Sequence, residues 1–100
     1  MRVLLADDHA IVRRGLRAIL ETEPRLTVVA EASDGMEALR LVEAHQPDIL
    51  IIDIGMPKMN GIEVASRTQK LERPPNVIIL SMHSDESYIT RALAAGARAY

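Results

Sequence analysis

Short apolar runs alternate along the chain with segments in which apolar residues recur at helical spacing. The runs are rich in β-branched residues and lack polar alternation, which is typical of strands covered on both faces of a parallel sheet. They are Val3–Ala6, Val28–Ala30, Ile49–Ile52 and Val77–Leu80. The helical stripes are Ile11, Val12, Leu16, Ile19 and Leu20, then Met36, Leu39 and Val42, and later Tyr88, Ile89, Ala92 and Leu93.

Local signals place the helix ends and complete the order of elements. Asp34 stands three residues before Glu37, as in a capping box, and Ser84 is a candidate cap for the last helix. Asn60 begins a turn, and a third helix with a weak stripe is predicted over 61–71. The order βαβαβαβα with right-handed crossovers predicts an α/β fold, an open doubly wound parallel sheet with strand order 2-1-3-4.

The last unit of this fold is expected to be incomplete, since 97–100 is where a fifth strand begins. One sheet edge and part of one sheet face would then lack a partner. Uncovered edges and apolar faces favour pairing with another chain, so self-association or marginal stability is the predicted consequence.

Composition narrows the class of protein. The 100 residues are 48% hydrophobic and 26% charged, which predicts one compact domain. Without cysteine, disulfides, thiolate zinc sites and thiol nucleophiles are excluded. A net charge of −2 and only two aromatic residues argue against nucleic-acid binding by these residues. With no apolar run of membrane-spanning length and no signal-peptide pattern, a cytoplasmic location without a membrane partner is expected.

Three carboxylates follow strands that the predicted topology makes neighbours. Asp7 and Asp8 follow the first strand, and Asp53 ends the third. The carboxyl ends of these strands form the ligand crevice at the topological switch point. Three acids there repel one another unless a hard divalent cation lies among them, and Mg²⁺ with its preference for carboxylate oxygens fits.

Asp53 is the candidate nucleophile. It follows a buried run and precedes a loop rich in Gly and Pro, so its carboxylate is expected to be fixed yet reachable, as formation of an acyl phosphate requires. Ser81 ends the fourth strand at the same edge and is placed to donate to a phosphoryl oxygen, or to form a turn. The alternative for the three acids is that they cap the helices that follow them.

Two further sets of polar residues are interpreted as solvated surface. The histidines are not spaced as metal ligands, and three arginines form a basic face on the first helix, with docking to a partner as the alternative. These residues are His9, His45 and His83, and Arg13, Arg14 and Arg17.

Four segments together resemble a known family. They are Asp7-Asp-His9, Ile51-Ile-Asp-Ile-Gly-Met-Pro57 with Asn60-Gly61, Ser81-Met-His83 and Ala94-Ala-Gly-Ala97. The combination resembles the receiver domain of two-component response regulators, which has a flavodoxin-like fold. The resemblance covers essentially the whole chain, and its opening from Asp7 to Leu16 is similar to the NarL/FixJ (LuxR-type) branch.

The resemblance implies roles for individual residues. Asp53 matches the phosphorylated aspartate, and the other Mg²⁺ ligands of the family match Asp7, Asp8 and the Gly55 carbonyl. Ser81 matches the switch hydroxyl, and Tyr100 matches the switch aromatic residue. The residues that shape the loop after the phosphorylation site match Pro57 and Gly61. The family's lysine is expected a few residues beyond Tyr100, outside this chain, and neither Lys58 nor Lys70 matches it by position.

The function implied is that of a phosphoryl acceptor in signal transduction, not an enzyme. A sensor histidine kinase would be the donor, and a homodimer or another form of self-association is expected. DNA would be bound only through a helix-turn-helix domain absent from residues 1–100. Two alternatives stay open. One is an interaction module that works without phosphorylation, and the other is a haloacid-dehalogenase-like phosphatase, whose general acid would stand where this sequence has Gly55.

Overall fold

Strands and helices alternate over residues 1–80 as predicted. The computed structural model describes residues 1–80 and the backbone of residues 97–99. Its elements are β1 (Arg2–Ala6), α1 (Ala10–Glu21), β2 (Thr27–Ala32), α2 (Gly35–His45), β3 (Ile49–Asp53), α3 (Gly61–Thr68), β4 (Asn76–Leu80) and β5 (Ala97–Ala99). The helix predicted around Tyr88, Ile89, Ala92 and Leu93, with its cap at Ser84, lies outside the described residues. No described helix has the length and hydropathy that crossing a membrane requires.

The strands form one parallel sheet in the order β2-β1-β3-β4-β5. The predicted order is therefore confirmed, and β5 lies beside β4. The central strands β1 and β3 are neighbours although β2 separates them in the chain. Their helices leave toward opposite faces, which creates the switch point at the carboxyl ends of these two strands.

The main core lies between the sheet and the α2/α3 layer. Alternate residues of the strands point into it because strand side chains alternate between the two faces. The strand residues in this cluster are Leu4, Ala6, Leu50, Ile52, Val77 and Ile79, all at most 1% exposed, and α2 and α3 add Ala38, Val42, Ile62, Val64 and Ala65. Burial of these aliphatic side chains holds β1, β3 and β4 in a fixed register.

Helix α1 packs less closely than its pattern predicts. Its apolar stripe is present, but none of its residues, all of them described, is fully buried. Ile11 is 84% exposed and Ile19 is 67% exposed. Among the described elements the helix packs chiefly against β1 and β2, so the sides of the stripe that point away from these strands stay in solvent.

Helix α3 ends earlier than predicted, at Thr68 instead of Leu71. The amides of Lys70 and Leu71 donate to carbonyls three residues back, at 3.2 and 3.1 Å, which tightens the chain into turns. The helix also buries most of its residues. Because it packs against both α2 and β4, its buried positions do not fall on one narrow stripe.

The N-cap predicted at the start of α2 is confirmed at Asp34, but the return bond from Glu37 reaches Ser33, one residue before the position that a capping box uses. The Asp34 side chain accepts from the Glu37 amide at 2.8 Å, and the Glu37 carboxylate accepts from the Ser33 amide at 2.8 Å. This start of α2 is in turn pressed against the loop after β3. The Gly35 amide donates to the Pro57 carbonyl at 3.3 Å, and a Cβ at Gly35 would lie 1.9 Å from the carbonyl oxygen of Met59.

We expect Gly35→Ala to destabilise the fold by about 1–3 kcal/mol, because the added methyl group collides with backbone that cannot yield. Gly15→Ala is the matched control. A Cβ at Gly15 meets no described atom within 4 Å, and alanine in a helix interior should stabilise by about 0.5–1 kcal/mol. Urea unfolding followed by circular dichroism measures both changes, and an unchanged midpoint for Gly35→Ala would contradict the close approach.

Candidate acidic site

The register of the sheet brings the first and third strand ends to the same level. Ala6 pairs with Ile52 across β1 and β3, so the next residues in the two strands, Asp7 and Asp53, stand side by side. Asp53 itself pairs with Leu80 of β4. Ladder hydrogen bonds fix the backbone at these positions, so the two side chains start from neighbouring points at the same edge of the sheet.

The three predicted acids meet at one point. One ligand atom from each of Asp7, Asp8, His9 and Asp53 can be chosen so that all four lie within 4.8 Å of one another. The Asp7 side chain is only 6% exposed, Asp8 is more open, and Asp53 is half-buried. The arrangement is a partly buried anionic pocket that opens toward solvent.

His9 also lies in this cluster, although the spacing of the histidines in the sequence does not indicate metal ligands. Its Nδ1 lies 3.1 Å from a carboxylate oxygen of Asp7 and 3.1 Å from one of Asp8. The hydrogen bond with Asp7 raises the pKa of the imidazole, and the charge of Asp8 adds to the effect. The side chain is nevertheless 66% exposed, so its solvation was predicted correctly.

The pKa of Asp53 is raised above its ordinary value. Burial is the main cause because it disfavours the charged carboxylate, and the negative charges of Asp7 and Asp8 act in the same direction. A backbone hydrogen bond from Gly55 opposes the shift. The fold thus holds an acid where its charge is unfavourable, which is typical of functional sites.

Helix capping does not explain the acids, so that alternative is wrong for the described part of the chain. Helix α1 has His9 as its N-cap residue, without a side-chain cap, and α3 is capped by Asn60, which accepts from the Glu63 amide at 2.9 Å. Asp7 accepts from the His9 amide at 2.7 Å, one residue before the helix begins. Its second oxygen remains available to the pocket.

The loop after β3 is anchored close to Asp53. The Gly61 amide donates to the Ile54 carbonyl at 3.0 Å, and a Cβ at Gly61 would lie 2.4 Å from the Asp53 carbonyl oxygen. Pro57 offers its carbonyl to the amides of Gly35 and Met59. These contacts give Pro57 and Gly61 a local shaping role, while Gly55 lies exposed beside the Asp53 carboxylate.

Other predicted residues lie elsewhere or outside the described residues. Ser81 follows Leu80 directly, and both Ser81 and Tyr100, like His83, lie outside the described residues. Lys58 is paired with Asp34, with 3.5 Å between ammonium nitrogen and carboxylate oxygen, and Lys70 lines a groove between α2 and α3. His45 is half-buried at the end of α2.

The prediction of a solvated arginine face on α1 is wrong for Arg13. Its side chain is 22% exposed and pairs with Glu31 of β2 at 3.0 Å. Arg17 pairs with Glu21 at 2.7 Å and also contacts Glu31, whereas Arg14 is exposed as predicted. The sequence signal that was missed is Glu31, a charged residue inside an otherwise apolar strand.

We expect Asp53→Asn to raise the thermal stability of the metal-free protein by a few degrees at neutral pH, because the neutral amide is less costly to bury than a carboxylate and carries no charge for Asp7 and Asp8 to repel. The folded protein binds a proton at Asp53 more readily than the unfolded chain does, so this residue lowers stability as pH rises above the ordinary pKa of 3.8. The gain of the variant should therefore shrink as pH falls toward that value. Thermal unfolding followed by circular dichroism across this pH range measures the difference in melting temperature between the variant and the parent. Equal melting temperatures of the two proteins at neutral pH would contradict an unfavourable charge at Asp53.

The sequence matches the family described as response regulator receiver domain over residues 3–100. It is 41% identical over 100 residues to the transcriptional regulatory protein YhcZ of Bacillus subtilis, covering all of this chain and 47% of that protein. It is 44% identical over 102 residues to the transcriptional regulatory protein DegU of Brevibacillus brevis, covering all of this chain and 42% of that protein. The chain thus spans less than half the length of these relatives.

Solved structures give the same result for the fold. The signal receiver domain of NarL from Mycobacterium tuberculosis superposes with a TM-score of 0.94 at 38% identity, covering 98% of this chain and 79% of that one. The response regulator domain of CheB from Thermotoga maritima superposes with a TM-score of 0.93 at 37% identity, covering 99% and 75% of the two chains. Sequence and fold agree, and the chain belongs to the family of response regulator receiver domains.

Proposed function

We propose that Asp53 accepts a phosphoryl group and that residues 1–100 form the phosphorylated switch of a two-component regulator. The observation that carries the proposal is the convergence of Asp7, Asp8 and Asp53 within one pocket at the switch point of the sheet. Asp53 stands at the end of a strand, half-buried and beside an exposed glycine, where an incoming phosphoryl group has access.

The donor set fits Mg²⁺. Carboxylate oxygens are the ligands this hard cation prefers, and the pocket holds three carboxylates against one imidazole. We propose that Asp7, Asp8 and Asp53 hold the ion, together with the Gly55 carbonyl implied by the family. When bound, Mg²⁺ would neutralise charge on the phosphoryl oxygens.

The proposed reaction is an in-line transfer to a carboxylate. An Asp53 oxygen forms a bond to phosphorus while the bond from phosphorus to the imidazole nitrogen of a phosphohistidine breaks, and the electron pair stays with the imidazole, which takes up a proton from solvent. A carboxylate nucleophile needs no general base. Asp7 and Asp8 repel the incoming anion when no cation is present, so the transfer should depend strictly on a divalent ion.

We assign the response to the phosphoryl group to Ser81 and Tyr100 by resemblance. The Ser81 hydroxyl would donate to a phosphoryl oxygen, and the Tyr100 ring would move into the space that this hydroxyl vacates. The register supports the first step, because Leu80 pairs with Asp53 and Ser81 is the next residue of the chain.

The names of the relatives support a proposal for the partners of the whole protein. Both relatives described above are named transcriptional regulatory proteins, so we propose that this receiver controls transcription through a helix-turn-helix DNA-binding domain outside residues 1–100. A sensor histidine kinase would supply the phosphoryl group in the cytoplasm. The exposed apolar residues of α1 favour association with a second copy.

Two alternatives are less favoured. An interaction module without phosphorylation leaves the crowding of three acids unexplained. A phosphatase of the haloacid-dehalogenase kind needs an acid two residues beyond the nucleophile, where this chain has Gly55.

The direct test is intact mass after incubation with acetyl phosphate and Mg²⁺. We expect one phosphoryl adduct on the parent chain, none on Asp53→Asn, and an adduct on Asp48→Asn, which changes an exposed aspartate just before the same strand. Chelation of Mg²⁺ should abolish labelling. Circular dichroism confirms that each variant is folded.

Each outcome distinguishes the candidate functions. An adduct that persists on Asp53→Asn would refute the assignment of the acceptor. A folded parent chain without any adduct would favour the interaction module, and continuous release of phosphate from a phosphate monoester would favour the phosphatase.

A further inference from the structure

The Arg13 side chain reaches from α1 to the turn that carries two of the acids. Its Nη1 donates to the backbone carbonyl of Asp7 at 2.7 Å, and its Nε donates to the Glu31 carboxylate at 3.0 Å. The guanidinium is planar, so two bonds from different nitrogens fix its orientation. The side chain therefore links helix α1, strand β2 and the turn after strand β1.

Glu31 is itself held in place. Its second carboxylate oxygen accepts from Arg17, which pairs through Nε with Glu21 at 2.7 Å. Glu31 is 27% exposed, and its neighbour Ala32 is buried in the core on the opposite face of β2. The anchor for Arg13 is thus part of a strand and not a free surface side chain.

Three hydrogen bonds of Asp7 hold the turn after β1 in place. The Asp7 amide donates to the Ala32 carbonyl at 3.0 Å, and the Asp7 carboxylate accepts from the His9 amide at 2.7 Å. Arg13 adds the third bond, to the carbonyl. Because the peptide unit is planar, fixing this carbonyl also fixes the amide and the Cα of Asp8, from which its side chain starts.

We propose that Arg13 is a positioning residue of the acidic site, which holds the peptide between Asp7 and Asp8 so that both carboxylates are preorganised for a divalent cation. The inference rests on the proposed function, because it concerns the metal site of that reaction. Partners that orient metal ligands from outside the coordination sphere typically contribute about 10–100-fold in metal affinity.

Removal of Arg13 should change metal affinity in opposite directions, depending on whether its charge or its hydrogen bonds dominate. Arg13 is a cation close to a cation site, so by Coulomb's law alone its removal should strengthen metal binding. A positioning role predicts the opposite, because the loosened turn must be ordered again when the ion binds. Weaker binding after removal of a positive charge therefore indicates positioning.

The experiment is a titration with Mn²⁺ as a spectroscopic substitute for Mg²⁺, in which electron paramagnetic resonance measures the free ion. We expect Arg13→Gln to raise the dissociation constant about tenfold. Arg17→Gln is the matched control. It also removes a positive charge that contacts Glu31, but among the described contacts Arg17 makes none with Asp7, so its affinity should change by less than about twofold.

Arg13→Lys keeps the charge and guards against a failure of Arg13→Gln to fold. One ammonium group cannot reproduce two hydrogen bonds from a rigid, planar guanidinium. We therefore expect Arg13→Lys to bind Mn²⁺ about threefold more weakly than the parent, which is a smaller loss than that of Arg13→Gln. Parent affinity in Arg13→Lys, or equal losses in Arg13→Gln and Arg17→Gln, would overturn the positioning role.

Asp8→Asn separates this inference from the proposed function. If the parent binds Mn²⁺ and Asp8→Asn does not, the metal site exists, and the arginine variants then decide the role of Arg13 alone. If the parent does not bind Mn²⁺, or if Asp8→Asn binds it equally well, the metal site of the proposed function is itself refuted, and the role of Arg13 with it.

Discussion

Crowding of negative charge at the ends of two parallel strands is the constraint on which the site depends. Asp7 and Asp53 are held level by the register of β1 and β3, and that register is fixed by backbone hydrogen bonds and by fully buried neighbours such as Leu50 and Ile52. The backbone positions of the acids cannot separate to relieve their repulsion. The hydrogen bond from the Gly55 amide and the charge of His9 favour the ionised Asp53, and a bound cation would offset further negative charge. Binding of a cation at this edge of the sheet would therefore be favoured by the charge of the acids.

The two sides of the pocket are supported differently. On the Asp53 side, α2 and α3 pack on the sheet, and Gly61 and Gly35 bring backbone so near that no side chain fits between. On the Asp7 side, α1 has no fully buried residue, so hydrophobic packing does little to fix the turn that it follows. Polar contacts replace packing there, and those of Arg13 are directed at the turn itself. Where apolar burial is weak, directional hydrogen bonds determine the geometry.

The sequence was sufficient for the sheet and for the meeting of the acids, because both follow from local patterns combined with topology. Continuous apolar runs identify strands, and parallel strands with right-handed crossovers bring Asp7 and Asp53 together. The contacts of His9 and Arg13 could not be predicted, since they depend on side-chain directions across three elements. A strand residue such as Glu31, charged among apolar neighbours, indicates only that some partner is required, and α1 offered three arginines for that role. The burial of the apolar stripe of α1 also could not be predicted, because it depends on which faces of the helix have neighbouring elements. Hydrophobic periodicity alone does not show this.

The position two residues beyond Asp53 bears on whether the proposed acyl phosphate would be hydrolysed quickly or would persist. A Cβ added at Gly55 would lie 3.9 Å from the Asp53 carboxylate and would meet no other described atom within 4 Å, so the fold leaves room there for a side chain. Steric exclusion therefore does not account for the glycine. An acid at this point would protonate a leaving group and promote turnover, whereas glycine leaves an acyl phosphate without that assistance. If Asp53 accepts a phosphoryl group as proposed, the slower loss of that group would leave time for a change in the equilibrium between two conformations.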